Sequence, residues 1–195
     1  TLDLALLTAL AGGSLTQGAH TLHLIATDAS GNSSSFDLAF TLDTGNPSAP
    51  TVTLNAGSDS GVAGDGRTND LSPTFDLTGE AGGSLTLLRD GSPVPATVTA
   101  PSGQVTIDTL ADGTHRFSAF ATDLAGNVSD SSAPLAITID TQAPASLTLD
   151  LAPGSDTGVQ GDQRTTADVV TLTGSTEADA TISLIGTDRT TSTGT

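Results

Sequence analysis

The chain of 195 residues has no cysteine, tryptophan or tyrosine, and its 5 basic residues (Arg67, Arg89, Arg116, Arg164 and Arg189) are all arginine. Without cysteine there is neither a disulfide nor a thiolate metal site. Without tryptophan or tyrosine, and with only 5 phenylalanines, there is no aromatic platform for stacking a sugar. So few cations form no patch to neutralise phosphates, which excludes nucleic acid as a partner and disfavours an anionic membrane surface. No apolar run reaches 18 residues, so no segment is expected to insert in a membrane. No signal peptide is visible, and the chain opens inside what reads as a strand over Leu2–Ala11. A fragment of something longer is expected. No convincing amphipathic helix is found either; Leu2–Ala11 alone could pass for one, and its position relative to the repeat favours a strand.

What is abundant is aspartate. The formal net charge is −17, from 22 acidic residues of which only Glu80 and Glu177 are glutamate. Aspartate forms helices and strands poorly, but it makes turns and offers hard oxygen ligands. The stretch Gly57-Ser-Asp59-Ser-Gly-Val-Ala-Gly-Asp65-Gly-Arg67-Thr68 returns 97 residues later as Gly154-Ser-Asp156-Thr-Gly-Val-Gln-Gly-Asp162-Gln-Arg164-Thr165. A period this long is a whole domain rather than a solenoid unit. Each copy places two aspartates in a glycine-rich loop that can be neither helix nor regular strand.

Around these loops the chain alternates apolar and polar residues, the mark of half-buried strands. Thr51–Leu54, Pro73–Thr78, Ser84–Leu87, Val105–Ile107, Phe117–Ala121 and Leu135–Ile139 all show it, with Leu135, Ile137 and Ile139 facing inward. Arg89-Asp90-Gly91 reads as a hairpin turn and Leu110–His115 as a corner. About seven short strands per hundred residues, with regular turn signals, predict a sandwich. The strand at Pro73–Thr78 aligns with Val169–Thr173 at a shift of 95, so a two-residue shortening is expected in the second copy. The repeat also reaches backwards: Ala26–Asn32 matches Ala121–Asn127. The expected domains are 1–43, the C-terminal half of a repeat; 44–140, a complete repeat; and 141–195, the N-terminal half of a third. A half sandwich cannot bury its own face. The halves must be completed by further sequence, pair with one another, or be poorly ordered.

Five motifs stand in register: Ile139-Asp140-Thr141-x-Ala143-Pro144, the Asp156/Asp162 loop, LTGxxE ending at Glu177, LxDGxH at Leu110–His115 and ATDxAGN at Ala121–Asn127. Together they resemble the bacterial Ig-like repeats of giant secreted, biofilm-associated adhesins of Gram-negative bacteria. The resemblance implies an all-β chain of tandem seven-stranded Ig-like Greek-key sandwiches, an extracellular cell-surface location, and Ca²⁺ near domain junctions. Gln17 departs from the pattern, standing where the complete repeat has Asp112, which puts a metal site there in doubt. The missing cysteine pair and core tryptophan exclude an antibody-type domain.

Successive loops of such a sandwich alternate ends. Asp59, Asp65, Asp112 and Asp140 are expected at the exit end; Glu80, Asp123 and Asn127 at the other, next to Asp43 from the preceding repeat. Asp156 and Asp162 repeat the first pair. Clustered carboxylates repel unless they protonate or bind a cation. Oxygen-only donors on flexible turns suit Ca²⁺, where Zn²⁺ would require His or Cys and Mg²⁺ a stricter octahedron. The plainer reading stays open: these aspartates make turns with their own backbone, Arg67 pairs with Asp65 and Arg164 with Asp162, and Asp123 and Asn127 form a hairpin turn with Gly126 left-handed. His20 and His115 read as structural, and His23 has no obvious partner.

No nucleophile–base arrangement stands out, so an enzyme is not expected. Paired carboxylates can hydrolyse glycosides, but these sit in turns without an aromatic platform. The expected function is a structural stalk segment whose junctions are stiffened by Ca²⁺. Its partners are neighbouring repeats of the same chain, with a distal domain meeting the host or biofilm surface. The rivals are a module that itself binds glycan or a host surface, and an accessory domain of a secreted enzyme.

Overall fold

The computed structural model of the chain describes residues 14–145, 147–185 and 192–194; the strand expected over Leu2–Ala11 lies outside them. Two compact units are present, Thr1–Thr141 and Gln142–Thr195. No helix occurs among the described residues.

The first unit opens with a hairpin of β1 (Gly18–Thr27) and β2 (Ser33–Leu42), paired without interruption from Gly18↔Leu42 to Thr27↔Ser33. A sandwich follows. Its smaller sheet holds β3 (Thr51–Leu54), β5 (Thr74–Thr78) and β8 (Ser102–Thr106), in the order β3-β5-β8. The larger sheet contains β4 (Arg67–Thr68), β6 (Gly83–Arg89), β7 (Ser92–Thr99), β9 (Gly113–Asp123) and β10 (Leu135–Ile139), in the order β4-β10-β9-β6-β7. The eighth strand, beyond the expected seven, is β4. Only two residues long, it runs parallel to β10 through Thr138↔Arg67 and Ile139↔Thr68, after the acidic loop has carried the chain from one sheet to the other. Short β4 and proline-bearing β7, with Pro93 and Pro95, close the two edges of the larger sheet, where unpaired N–H groups would otherwise invite another strand. The Asp90-Gly91 hairpin forms as expected, with φ of 50° and 82° at the two central residues, as a primed turn requires.

Alternation along the strands builds the core. Phe75 and Leu77 from one sheet meet Leu85, Leu87, Phe117, Ala119, Ile137 and Ile139 from the other, all at 0–1% exposure. The rings of Phe75 and Phe117 lie 4.1 Å apart across the interface between the sheets. Ile107 and Leu110, beyond β8, close one end; the N–H of Leu110 donates to Leu71 O. Ile137 and Ile139 face inward as expected, with Leu135 packed at the margin.

The second unit pairs β11 (Thr148–Leu151) with β12 (Leu172–Ser175), and β13 (Ile182–Leu184) with β14 (Ser192–Gly194). Here the expected two-residue shortening is corrected. Thr148 faces Ser175 as Thr51 faces Thr78, and Leu151 faces Leu172 as Leu54 faces Phe75, so the offset stays at 97 throughout. Matching the letters Leu-Thr-Gly misled, because the ladder is set by backbone pairing and not by residue type. The true equivalents of Phe75 and Leu77 are therefore Leu172 and Gly174. Leu172, Ile182 and Leu184 are 37–40% exposed where Phe75, Leu85 and Leu87 are sealed.

The facing rings make a direct prediction. Phe117→Ala removes one of the two largest core side chains and should lower the stability of the sandwich by about 3–5 kcal/mol, read from the urea midpoint of the full chain.

Candidate functional site

Each acidic loop is built around one carboxylate. Asp59 Oδ2 accepts the N–H of Gly64 at 2.6 Å, and Asp156 Oδ2 accepts that of Gly161. Asp65 Oδ1 accepts Arg67 N–H at 2.8 Å and Asp162 Oδ1 accepts Arg164 N–H at 3.0 Å. Serines anchor the loops to the sheet: Ser58 Oγ accepts from Thr74 N–H at 3.0 Å, and Ser155 Oγ from Thr171 N–H at 2.7 Å. Ser58, Thr68, Ser155 and Asp156 are the buried polar residues of the described chain. The sequence reading passed over both serines and Thr68, although the 97-residue recurrence of the serines was the signal that could have found them.

Two atoms stand apart. Asp59 Oδ1 and Asp156 Oδ1 are buried and have no hydrogen-bond partner. Asp156 as a whole is only 4% exposed. A buried acceptor left unsatisfied is costly, and one that occurs twice at equivalent positions needs a reason.

At the exit end the chain brings the Asp59/Asp65 loop beside the linker. Asp140 N–H donates to Thr68 O at 2.9 Å, and the Arg67 guanidinium lies 3.8 Å from Asp140 Oδ2. Arg67 thus faces Asp140 rather than Asp65 with its side chain. Asp112 holds the following linker residue, accepting Thr141 Oγ1–H at 2.9 Å and Thr141 N–H at 3.3 Å. Gln17, the odd residue at the equivalent position, does the same work uncharged: its Oε1 accepts Thr44 N–H at 2.8 Å.

At the entry end the glutamates hold the far side of the linkers. Glu80 Oε2 accepts Ser48 N–H at 3.3 Å, and Glu177 Oε2 accepts Ala145 N–H at 3.1 Å. Glu177 had not been singled out, although the repeat pointed to it. Asp43 Oδ1 accepts Gly45 N–H at 3.0 Å, and its carbonyl accepts Asn127 Nδ2 at 3.2 Å. The expected neighbours Asp43, Glu80 and Asp123 line one cleft of about 370 Å³. Asp123 itself is occupied: it accepts Ala125 N–H, Asn127 N–H and Asn127 Nδ2 at 2.8–2.9 Å, while Gly126 takes φ 93°. Asp28 and Asn32 repeat this knot at 2.8–2.9 Å.

Among the described residues, no three His, Cys, Asp or Glu side chains converge to hold a metal ion. A cation at either end would therefore take most of its oxygens from backbone carbonyls and water. The histidines are structural: His115 donates Nε2–H to Ala111 O at 3.0 Å, and His20 to Thr16 O at 2.7 Å. His23, expected to lack a partner, pairs with Asp37 directly across the hairpin.

Residues 46–141 match the family described as bacterial Ig-like domain. This segment is a bacterial Ig-like domain. Among solved structures, the BSP domain of a biofilm associated protein is 20% identical, with a TM-score of 0.36 over 64% of this chain and 20% of that one. The Clostridium thermocellum CbhA fibronectin(III)-like modules are 21% identical, with a TM-score of 0.39 over 66% of this chain and 65% of theirs. The chain thus spans about a fifth of the first structure's length and just under two thirds of the second's. No curated protein matches it.

The Asp123 knot sets a pH dependence. The Asn127 side-chain amide, aided by backbone N–H groups, holds the carboxyl below its ordinary 3.8. A depressed folded-state pKa contributes stability above the ordinary value and loses it as pH falls through the folded one. Asp123→Asn should therefore melt below the parent chain at neutral pH, and the two melting temperatures should converge as the pH drops below about 4, as followed by circular dichroism.

Proposed function

We propose that this chain is a stalk segment of a bacterial cell-surface adhesin, exposed outside the cell, in which Ca²⁺ bound at the acidic loops stiffens the junctions between Ig-like domains. The reading is carried by the unpartnered, buried oxygens of Asp59 and Asp156, which recur in equivalent loops. The membership of 46–141 in the bacterial Ig-like domains supports it. So does the way Asp112, Gln17, Glu80 and Glu177 grip linker residues within their own units.

The residues fit a hard cation. Their donors are oxygens, the loops are glycine-rich, and a buried carboxylate oxygen waits in each. Each loop would hold its own ion, through Asp59 in one and Asp156 in the other, aided by carbonyls of the same loop. Once bound, the ion supplies positive charge that lets neighbouring carboxylates approach, and extracellular sites of this type work at about 10⁻⁴–10⁻³ M. The chain's own part is to limit the linkers beforehand. Pro47, Pro50 and Pro144 fix φ at three linker positions, and the side-chain acceptors tie down Thr44, Ser48, Thr141 and Ala145. In this reading the segment is a spacer that projects a distal binding domain toward a host or biofilm surface.

Small-angle scattering of the chain in millimolar calcium and then in excess chelator tests the proposal. The maximum dimension and its spread should change on chelation, and Asp59→Asn with Asp156→Asn should reproduce the chelated profile in calcium. Identical profiles in all conditions would overturn it.

A further inference from the structure

The two acidic loops differ at Ser60/Thr157, Ala63/Gln160 and Gly66/Gln163, and the middle one of these lies at the loop's centre. Gln160 of the second loop stands where the first has Ala63. Its Nε2 donates to Pro153 O at 3.2 Å and also to the carbonyl of Asp156. That carbonyl belongs to the residue whose Oδ1 is buried without a partner. The methyl of Ala63 has no donor, so the first loop lacks this amide. The second loop is also more closed: Asp156 is 4% exposed, whereas Asp59 is half-buried.

We propose that Gln160 is an affinity-setting residue that makes the Asp156 loop a weaker calcium site than the Asp59 loop. The inference rests on the calcium reading above and deepens it. The amide N–H groups occupy carbonyl lone pairs next to the open carboxylate oxygen. They place partial positive charge where a cation would add its own. To admit the ion, the side chain must give up hydrogen bonds to two carbonyls, and the closed loop must open. Net hydrogen-bond contributions of this kind translate to about a tenfold difference in affinity between the loops. Junctions of one stalk would then stiffen at different calcium concentrations. The rod would shorten or straighten in steps along a calcium gradient instead of all at once.

The test is a titration of the full chain with calcium chloride, following the backbone amides of Gly64 and Gly161 by ¹⁵N–¹H NMR. Each amide donates to its own loop's aspartate and so reports one loop. Asp59→Asn and Asp156→Asn assign the two responses. Gly64 should respond first, with Gly161 following at about tenfold higher calcium. Gln160→Ala should bring the Gly161 midpoint down toward that of Gly64, and Ala63→Gln should move the Gly64 midpoint up. Equal midpoints in the parent chain would overturn this inference while leaving the calcium reading standing, as would a Gln160→Ala chain that binds no better or worse. Silence of both amides across the titration would overturn both. Urea midpoints of the two variants, matching the parent in chelator, show that the fold is retained.

Discussion

An aspartate carboxylate that accepts N–H groups from its own loop shapes both ends of this sandwich. The strands between are ordinary: alternating residues, a sealed core and protected edges. The loops have no such pattern to rely on, and Gly61, Gly64, Gly66 and Gly126 among them take positive φ, a conformation open mainly to glycine. What keeps them in one shape is a negative oxygen that gathers N–H groups, as Asp59 does with Gly64, Asp65 with Arg67 and Asp123 with Ala125 and Asn127. Hydrogen bonds to a charged acceptor are about twice as strong as neutral ones. Loops with little apolar surface can therefore still be fixed.

The same device reaches into the linkers, and there its chemistry separates geometry from charge. Asp112 and Gln17 occupy equivalent corners and both bind a linker threonine, one as a carboxylate and one as an amide. Accepting an N–H is thus what the corner requires, and negative charge is not. Comparing copies within the chain shows where composition is free to drift. Phe75 and Leu77 become Leu172 and Gly174, so the core strand of the second unit has lost apolar volume. The loop beside it keeps its serine anchor, its aspartate acceptors and the unpartnered oxygen. Packing tolerates loss of volume gradually, whereas a loop held by a few directed bonds changes shape when one is removed.

Most of the fold was legible because strand burial has a period of two that residues display directly. Ile137 and Ile139, the Asp90-Gly91 turn and the Leu110 corner all fall where pattern and turn chemistry place them. Strand β4 was not legible, since two residues carry no period; it exists because the loop delivers Arg67 and Thr68 alongside β10. The His23–Asp37 pair needed the hairpin register, which the separate strands do not reveal. The candidate sites were half legible. Repetition marked Asp59, Asp65, Asp156 and Asp162, and the ends they would share. Which oxygens are already taken depends on where each N–H points, and no spacing rule contains that. Hence the hydrogen bonds between Asp123, Ala125 and Asn127, which spacing left open between ligands and a turn, are seen only in the structure.

That knot bears on how a cation could act at all. An ion lowers the free energy only where oxygens remain to be satisfied, or where those it takes are released cheaply. At Asp123 the two carboxylate oxygens already accept three N–H groups from their own turn. At Asp59 and Asp156 one oxygen of each carboxylate is buried and idle, so a cation there gains an acceptor without breaking a bond to it. At the entry end Asp43 and Glu80 accept N–H groups of the adjoining linker. The idle oxygens lie instead in the two acidic loops. Under the calcium reading, the net charge of −17 matters less than the two oxygens that no N–H reaches.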